Sequence, residues 1–191
     1  MSQKTQQIVL LNDQKNIIGY ADKNQTHNTE TPFHLAFSCY LFNDSGEILL
    51  TRRSLNKLAW PGVWTNSFCG HPLPEEKIEN AVKRRALEEL KADINNIYCI
   101  EQNFSYIERD KNGIVENEFC PIYIATLHNE LAPIPSEVID WAWIKIDAIL
   151  ASVKNTPFIF SPWMVKQLSI PSVVNLLKNK TVDSSIKSSS L

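Results

Sequence analysis

At 191 residues, 43% of them hydrophobic and 21% charged, the chain has the composition of one ordinary globular domain. A chain of this length can bury a core without disulfides or a structural metal. Nineteen Lys and Arg against 21 Asp and Glu leave a net charge of -2, which excludes the broad basic footprint of a general nucleic-acid binder but not a local basic pocket.

In chain order, Ile8-Leu11 and Ile17-Ala21 read as a short hairpin around Asp13-Asn16. The first run is too brief for a signal-peptide core, and no stretch approaches the roughly 18 apolar residues needed to span a bilayer. His34-Asn43 reads as an aromatic-rich strand, Asp44-Ser45-Gly46 as a turn, and Ile48-Arg52 as the returning strand. Leu58-Pro74, with three prolines, two glycines and two tryptophans, reads as a loop. Glu75-Ala92 lacks Pro and Gly and is the strongest helix. Ile97-Glu108 and Ile114-Leu127 read as two long strands joined by Asp110-Lys111-Asn112-Gly113, and Val138-Ile144 as a further strand. Ile146-Val153 and Pro162-Lys178 read as closing helices, the second interrupted or restarted near Pro171. Residues 181–191, rich in Ser and poor in apolar residues, are expected to form a polar, disordered tail after one compact domain over 1–180. Strands and helices mix without strict alternation, which predicts an α+β fold.

Several residues carry chemistry. Arg85, Glu88 and Glu89 project from the helix side that also carries Ile78, Ala81 and Val82. They read either as a surface ion-pair cluster or as the wall of a pocket for a metal or phosphate. Cys69 and His71, one residue apart around Gly70, share a face if extended and read as a metal site, an activated nucleophile or a rigid loop with a buried thiol. Glu116 and Glu118 share one strand face, where like charges repel unless a cation or shared proton relieves them. His27 and His34 complete a set of three histidines and two glutamates, a donor shell suited to a six-coordinate divalent ion. Cys39, Cys69, Cys99 and Cys120 include no C-x-x-C pair and read as reduced thiols of a cytoplasmic protein.

From about Gln7 to Lys178 the chain resembles the type I isopentenyl-diphosphate isomerases, enzymes of the Nudix fold. The resemblance rests on Thr51-Arg52-Arg53, the run Trp60 to Ser67, Cys69-Gly70-His71-Pro72, the run Gly113 to Glu118, and Phe160-Ser161-Pro162-Trp163. Gly70, Glu76, Arg84, Glu88 and Glu89 also fall on the broader Nudix pattern, whereas Arg85 stands where that pattern has Glu and Lys91 where it has Gly. A permanent cation in place of a metal-collecting carboxylate argues against diphosphate hydrolysis.

The resemblance implies mixed β-sheets flanked by helices and interconversion of isopentenyl and dimethylallyl diphosphate through a tertiary carbocation-like intermediate. It implies Cys69 and Glu118 as the two acid–base groups, with Tyr106 beside Glu118 and Trp163 as the aromatic wall; which of the two protonates stays open in the sequence, with Glu118 favoured as donor and Cys69 as acceptor. His27, His34, His71, Glu116 and Glu118 are implied as a shell for Mn2+ or Zn2+, and Glu89 with the Cys69 carbonyl as the site of a Mg2+ bridging to the diphosphate. Lys23, Arg53, Lys57 and Arg85 are implied as the diphosphate clamp. The expected partner is this small molecule alone, with no nucleic acid and no membrane, on a monomer or homodimer.

Overall fold

The computed structural model describes residues 6–188, with side chains through Lys180. The chain opens with β1 (Gln7–Leu11), β2 (Ile17–Asp22) and the one-turn α1 (Lys23–Thr26), followed by β3 (His34–Leu35), β4 (Phe37–Phe42) and β5 (Ile48–Arg53). Two short strands, β6 (Trp64–Thr65) and β7 (Phe68–Gly70), precede α2 (Ile78–Leu90). Then come β8 (Ile94–Glu101), β9 (Ser105–Arg109), β10 (Val115–Phe119), β11 (Ile122–Leu127) and β12 (Val138–Ile144). The chain closes with α3 (Ile146–Asn155), a 3-10 turn (Pro157–Ile159), α4 (Pro162–Gln167) and α5 (Pro171–Ser188).

These strands form two sheets. The smaller has the order β2-β1-β3-β10-β9. The larger has the order β12-β5-β4-β11-β8, with β6 added to β5 and β7 to β4. The long strands expected from sequence are each divided between the two. His34-Asn43 breaks at Ala36 into β3 and β4, and Ile114-Leu127 breaks at Cys120-Pro121 into β10 and β11. The two breaks are one corner. β3 runs parallel to β10, with Glu118 opposite His34, and β4 runs parallel to β11, with Ile122 opposite Ser38. The Ala36 N–H donates to Phe119 O at 2.8 Å and the Ser38 N–H to Pro121 O at 3.1 Å, so the pair turns together without losing its backbone bonds. The Ile97-Glu108 run likewise divides into β8 and β9, and the Cys120 N–H donates to Phe104 O at 2.9 Å beside that third break.

Alternation explains the burial. In β4, Phe37, Cys39 and Leu41 face α2, where they pack with Phe68, Ala81, Val82, Ala86 and Leu90. Tyr40 and Phe42 face the other way, onto Ile149 of α3, Trp163 and Met164 of α4, and Val173 and Leu177 of α5. Both faces of the large sheet are covered, so β4 is buried along its whole length. All four cysteines are free, as expected.

Three other expectations differ in detail. The loop Leu58–Pro74 contains β6 and β7, because its backbone finds partners along the edges of β5 and β4. Helix α2 begins at Ile78 rather than Glu75, which has φ 63° after Pro74. Glu76 instead serves the loop: its carboxylate accepts from Leu73 N at 2.9 Å and from Arg84 at 2.7 and 2.9 Å. The helix ends at Lys91 in the left-handed region (φ 53°), which explains why the Nudix pattern has glycine there. Helix α5 continues to Ser188, past the start of the expected tail; no Gly or Pro interrupts it, and low hydrophobicity limits packing rather than helix formation. Residues 189–191 of that tail lie outside the described residues.

Gly70 ends β7 directly under α2. A Cβ there would lie 2.6 Å from Arg85 Cγ and 3.0 Å from the Phe37 ring. Gly70→Ala should therefore destabilise the protein by about 1–3 kcal/mol, because both neighbours are packed in place. Chemical denaturation measures this; an unchanged midpoint would show that the helix can move outward freely.

Candidate active site

One cleft of about 340 Å3 opens where the corner between the sheets meets α1, α2 and α4. Lys23, His27, Arg53, Lys57, Cys69, His71, Arg85, Tyr106, Glu116, Glu118 and Trp163 line it. Of the site residues expected from sequence, His34 and Glu89 are not in this lining. His34 is wholly buried beneath it, and Glu89 is turned into an ion pair with Arg85 at 2.7 Å.

Local structure aims the histidines. Asp22 caps α1 by accepting from Asn24 N at 2.8 Å, and His27 follows directly as the helix ends. His34 occupies β3 opposite Glu118, and His71 follows β7. The three rings lie 5.0 to 5.3 Å apart between centroids. His34 Nδ1 lies 2.9 Å from Pro32 O and His27 Nδ1 lies 3.4 Å from Lys23 O. A carbonyl only accepts, so Nδ1 carries the proton in each of these bonds, and a neutral ring would present the Nε2 lone pair to a cation. Those Nε2 atoms turn inward, that of His34 to within 3.2 Å of His71 Nε2 and 3.6 Å of Glu118 Oε1.

This donor set fits a divalent cation. One donor atom from each of His27, His34, His71 and Glu118 lies within 4.8 Å of all the others. His71 Nε2 faces Glu118 Oε1 at 3.1 Å, where a carboxylate can only accept, and its Nδ1 is buried without a hydrogen-bond partner. Glu116 Oε2 is also buried without an aligned hydrogen bond, although His27 Nε2 is only 3.2 Å away. A cation at the point of convergence would use the inward lone pairs and that oxygen together.

Burial drives the His71 pKa down to about 3, against the pull of Glu118, so this imidazole is neutral. Burial opposes ionisation of Glu118, yet its hydrogen bonds to His34 and His71 hold it well below the usual carboxylate range. Burial pushes the Cys69 thiol up to about 11, while hydrogen bonds with Ser38 and Asn66 pull the other way. These shifts favour the thiol form of Cys69 and the carboxylate form of Glu118. Tyr106 OH donates to Glu118 Oε2 at 2.9 Å, because β9 places it directly opposite on β10.

Cys69 sits opposite Ser38, whose Oγ is 3.4 Å from its sulfur. Ser38 in turn accepts from Gln167 Nε2 at 2.8 Å, and Gln167 Oε1 accepts from Tyr40 OH at 2.9 Å. Asn66 connects both walls of the cleft. Its Nδ2 lies 3.4 Å from Cys69 Sγ, and its Oδ1 accepts from Trp163 Nε1 at 3.0 Å. Sequence reasoning assigned no role to Ser38, Asn66, Gln167 or Tyr40. Asn66 alone carried a signal, its place three residues before the thiol in a Pro- and Gly-bounded loop.

The basic residues line the same cleft. Arg53 is held by the Ala59 and Trp60 carbonyls at 2.8 and 3.1 Å and stands 5.3 Å from the Trp163 ring centroid. Burial, together with neighbouring Arg85 and Lys57, lowers the Lys23 pKa to about 8. Arg85, expected as a clamp residue, is already engaged: Nη1 donates to Glu88 at 3.0 Å and Nη2 to Glu89 at 2.7 Å.

Residues 32–164 match the NUDIX domain family model. The isopentenyl-diphosphate Delta-isomerase of Paenarthrobacter aurescens is 53% identical over 84% of this chain and 87% of its own. That of Citrobacter koseri is 46% identical over 90% and 94%, respectively. In three dimensions the chain is similar to the DR0079 protein of Deinococcus radiodurans, with a TM-score of 0.66 at 16% identity over 85% of this chain and 97% of that one. At such identity the likeness is one of fold.

Proposed function

The chain belongs to the isopentenyl-diphosphate Delta-isomerases of the Nudix family, and from that premise we propose that Cys69 and Glu118 carry the proton transfers of the reaction. The enzyme interconverts isopentenyl and dimethylallyl diphosphate in isoprenoid biosynthesis. The observation that carries the assignment is that the Cys69 thiol and the Glu118 carboxylate share one cleft with an indole and four cations.

The reaction moves a double bond by one carbon, so a proton is added at one carbon and removed at another. One of Cys69 and Glu118 starts protonated and gives its proton to the alkene, both stay deprotonated beside the cation, and the other then removes a proton from the second carbon; the roles exchange with direction. Tyr106, through its hydrogen bond, keeps the Glu118 carboxylate aimed. An alkene is a very weak base, and protonation leaves a tertiary cation that must be kept from water. The face of Trp163 stabilises that cation by roughly 1–2 kcal/mol or more when desolvated, without attacking it. Trp60, edge-on to Trp163 at 5.6 Å, and Asn66 hold the indole in place.

The family uses divalent metals. His27, His34, His71, Glu116 and Glu118 are proposed to hold one Mn2+ or Zn2+, whose charge would orient Glu118 and stabilise its ionised form. Glu89 with the Cys69 carbonyl would hold a Mg2+ that accompanies the diphosphate and neutralises part of its charge. Lys23, Arg53, Lys57 and Arg85 neutralise the diphosphate, and this binding energy positions a five-carbon tail with no polar handle of its own.

Hydrolysis is the disfavoured reading. Arg85 replaces one of the carboxylates a hydrolase would use to collect metals, and its guanidinium pairs with Glu88 and Glu89. No helix among the described residues is long and apolar enough to cross a membrane, and we propose a cytoplasmic location.

Proton NMR of isopentenyl diphosphate with the protein and Mg2+ in heavy water tests the assignment. The paired methyl signals of dimethylallyl diphosphate should grow while deuterium enters the substrate. Free phosphate or an alcohol would establish hydrolysis instead, and an unchanged spectrum with metal bound would reduce the protein to a binding module.

A further inference from the structure

Two cations of the clamp already have an anion, and it comes from neither the substrate nor α2. Lys57 Nζ donates to Glu137 Oε2, and the same oxygen lies 3.4 Å from Arg85 Nη2. Glu137 lines the cleft just before β12 and had no role in the sequence reading. Its backbone is tied on both sides: its N–H donates to Ile134 O and its carbonyl accepts from Ser54 N, each at 2.9 Å. Only its side chain is free to yield. That side chain is 29% exposed, against 22% for Lys57 and 9% for Arg85, so the carboxylate is the partner with the shortest path into water. Arg85 keeps Glu88 and Glu89 if Glu137 leaves.

We propose that Glu137 is the resident anion of the diphosphate clamp, holding Lys57 and Arg85 in the empty cleft and swinging out when the diphosphate takes its place. This rests on the reading that those two cations receive the diphosphate. Without a counter-anion, the empty clamp would bring like charges together in a partly desolvated cleft. With it, the cations are held in position before substrate arrives, and the carboxylate competes for them again when product leaves. The cost is affinity, because every ligand has to displace Glu137.

Calorimetric titration of inorganic diphosphate, with Mg2+, into the full-length metal-loaded protein tests this. Glu137→Gln removes the charge but keeps an acceptor for Lys57, and should tighten binding roughly tenfold. Glu137→Asp keeps the charge at a shorter reach and should bind within about threefold of wild type, since a carboxylate still competes for the cations. The KM for isopentenyl diphosphate should fall in the Gln variant alone. Unchanged or weaker diphosphate binding in Glu137→Gln would overturn the proposal and leave Glu137 as a prop that orients Lys57. Lys57→Ala separates the two layers: if it fails to weaken diphosphate binding, the clamp reading itself is wrong.

Discussion

Cys69→Ala should lower turnover by roughly 10²- to 10⁴-fold, the range in which a single positioned acid–base group contributes. Diphosphate binding should remain. The thiol projects from β7 into the cleft, its hydrogen-bond partners are Ser38 and Asn66, and neither belongs to the clamp. Ser38 retains Gln167 and Asn66 retains Trp163 when the sulfur is gone, so the walls keep their shape. The loss should therefore fall on kcat, with the affinity for inorganic diphosphate within about threefold of wild type. Steady-state kinetics with calorimetry measures both. Wild-type turnover in this variant would remove Cys69 from the mechanism. A matching loss of diphosphate binding would make it a structural residue of the cleft.

Glu118→Gln should be at least as damaging, for two separable reasons. The substitution keeps size and leaves an oxygen for the Tyr106 hydroxyl. It removes the group proposed to exchange protons on the face opposite Cys69. It also removes the anion toward which His34 and His71 converge, at 3.6 and 3.1 Å. Turnover should fall by roughly 10³-fold or more, and bound metal, measured by elemental analysis after desalting, should fall with it. Glu116→Gln provides the contrast: it should weaken the metal while leaving the Tyr106–Glu118 pair in place. If Glu118→Gln keeps both its metal and its turnover, the carboxylate assignment fails. If Glu116→Gln removes as much turnover as Glu118→Gln while metal stays bound, the two carboxylates have been assigned the wrong way round.

The local parts of this protein are legible in its sequence. The hairpin of β1 and β2, the turn at Gly46, the body of α2 and the division of the last helices at Pro171 follow from short-range rules, because their backbone bonds close within a few residues. The reactive groups are legible too. Cys69 and His71 stand around Gly70, Glu116 and Glu118 alternate along one strand, and Arg85 replaces a carboxylate in the Nudix pattern.

What the sequence does not show is where strands change sheets. His34-Leu35 and Phe37-Phe42 look continuous because both halves are apolar and extended. The corner at Ala36 exists because β3 and β10 bend beside each other, with Ala36 bonded to Phe119 across a gap of more than eighty residues. That corner brings His34 and Glu118 together. The same holds for the side chains that support the reactive groups. Ser38 meets Cys69 across β4 and β7, Gln167 reaches Ser38 from α4, and Glu137 meets Lys57 from the start of β12.

The sequence by itself determined which chemical groups this protein has and, through its resemblance, which reaction they serve. Donor type, charge and the period of strand and helix are properties of a residue and its near neighbours. Only the tertiary structure decided which groups meet, which are neutral and which are already paired. Arg85 shows the difference: in sequence it is one more cation for a diphosphate, and in the fold it is held by Glu88, Glu89 and Glu137. Ion pairs, desolvation and hydrogen-bond direction depend on distances of a few ångströms between residues far apart in the chain, and packing two sheets around one corner sets those distances.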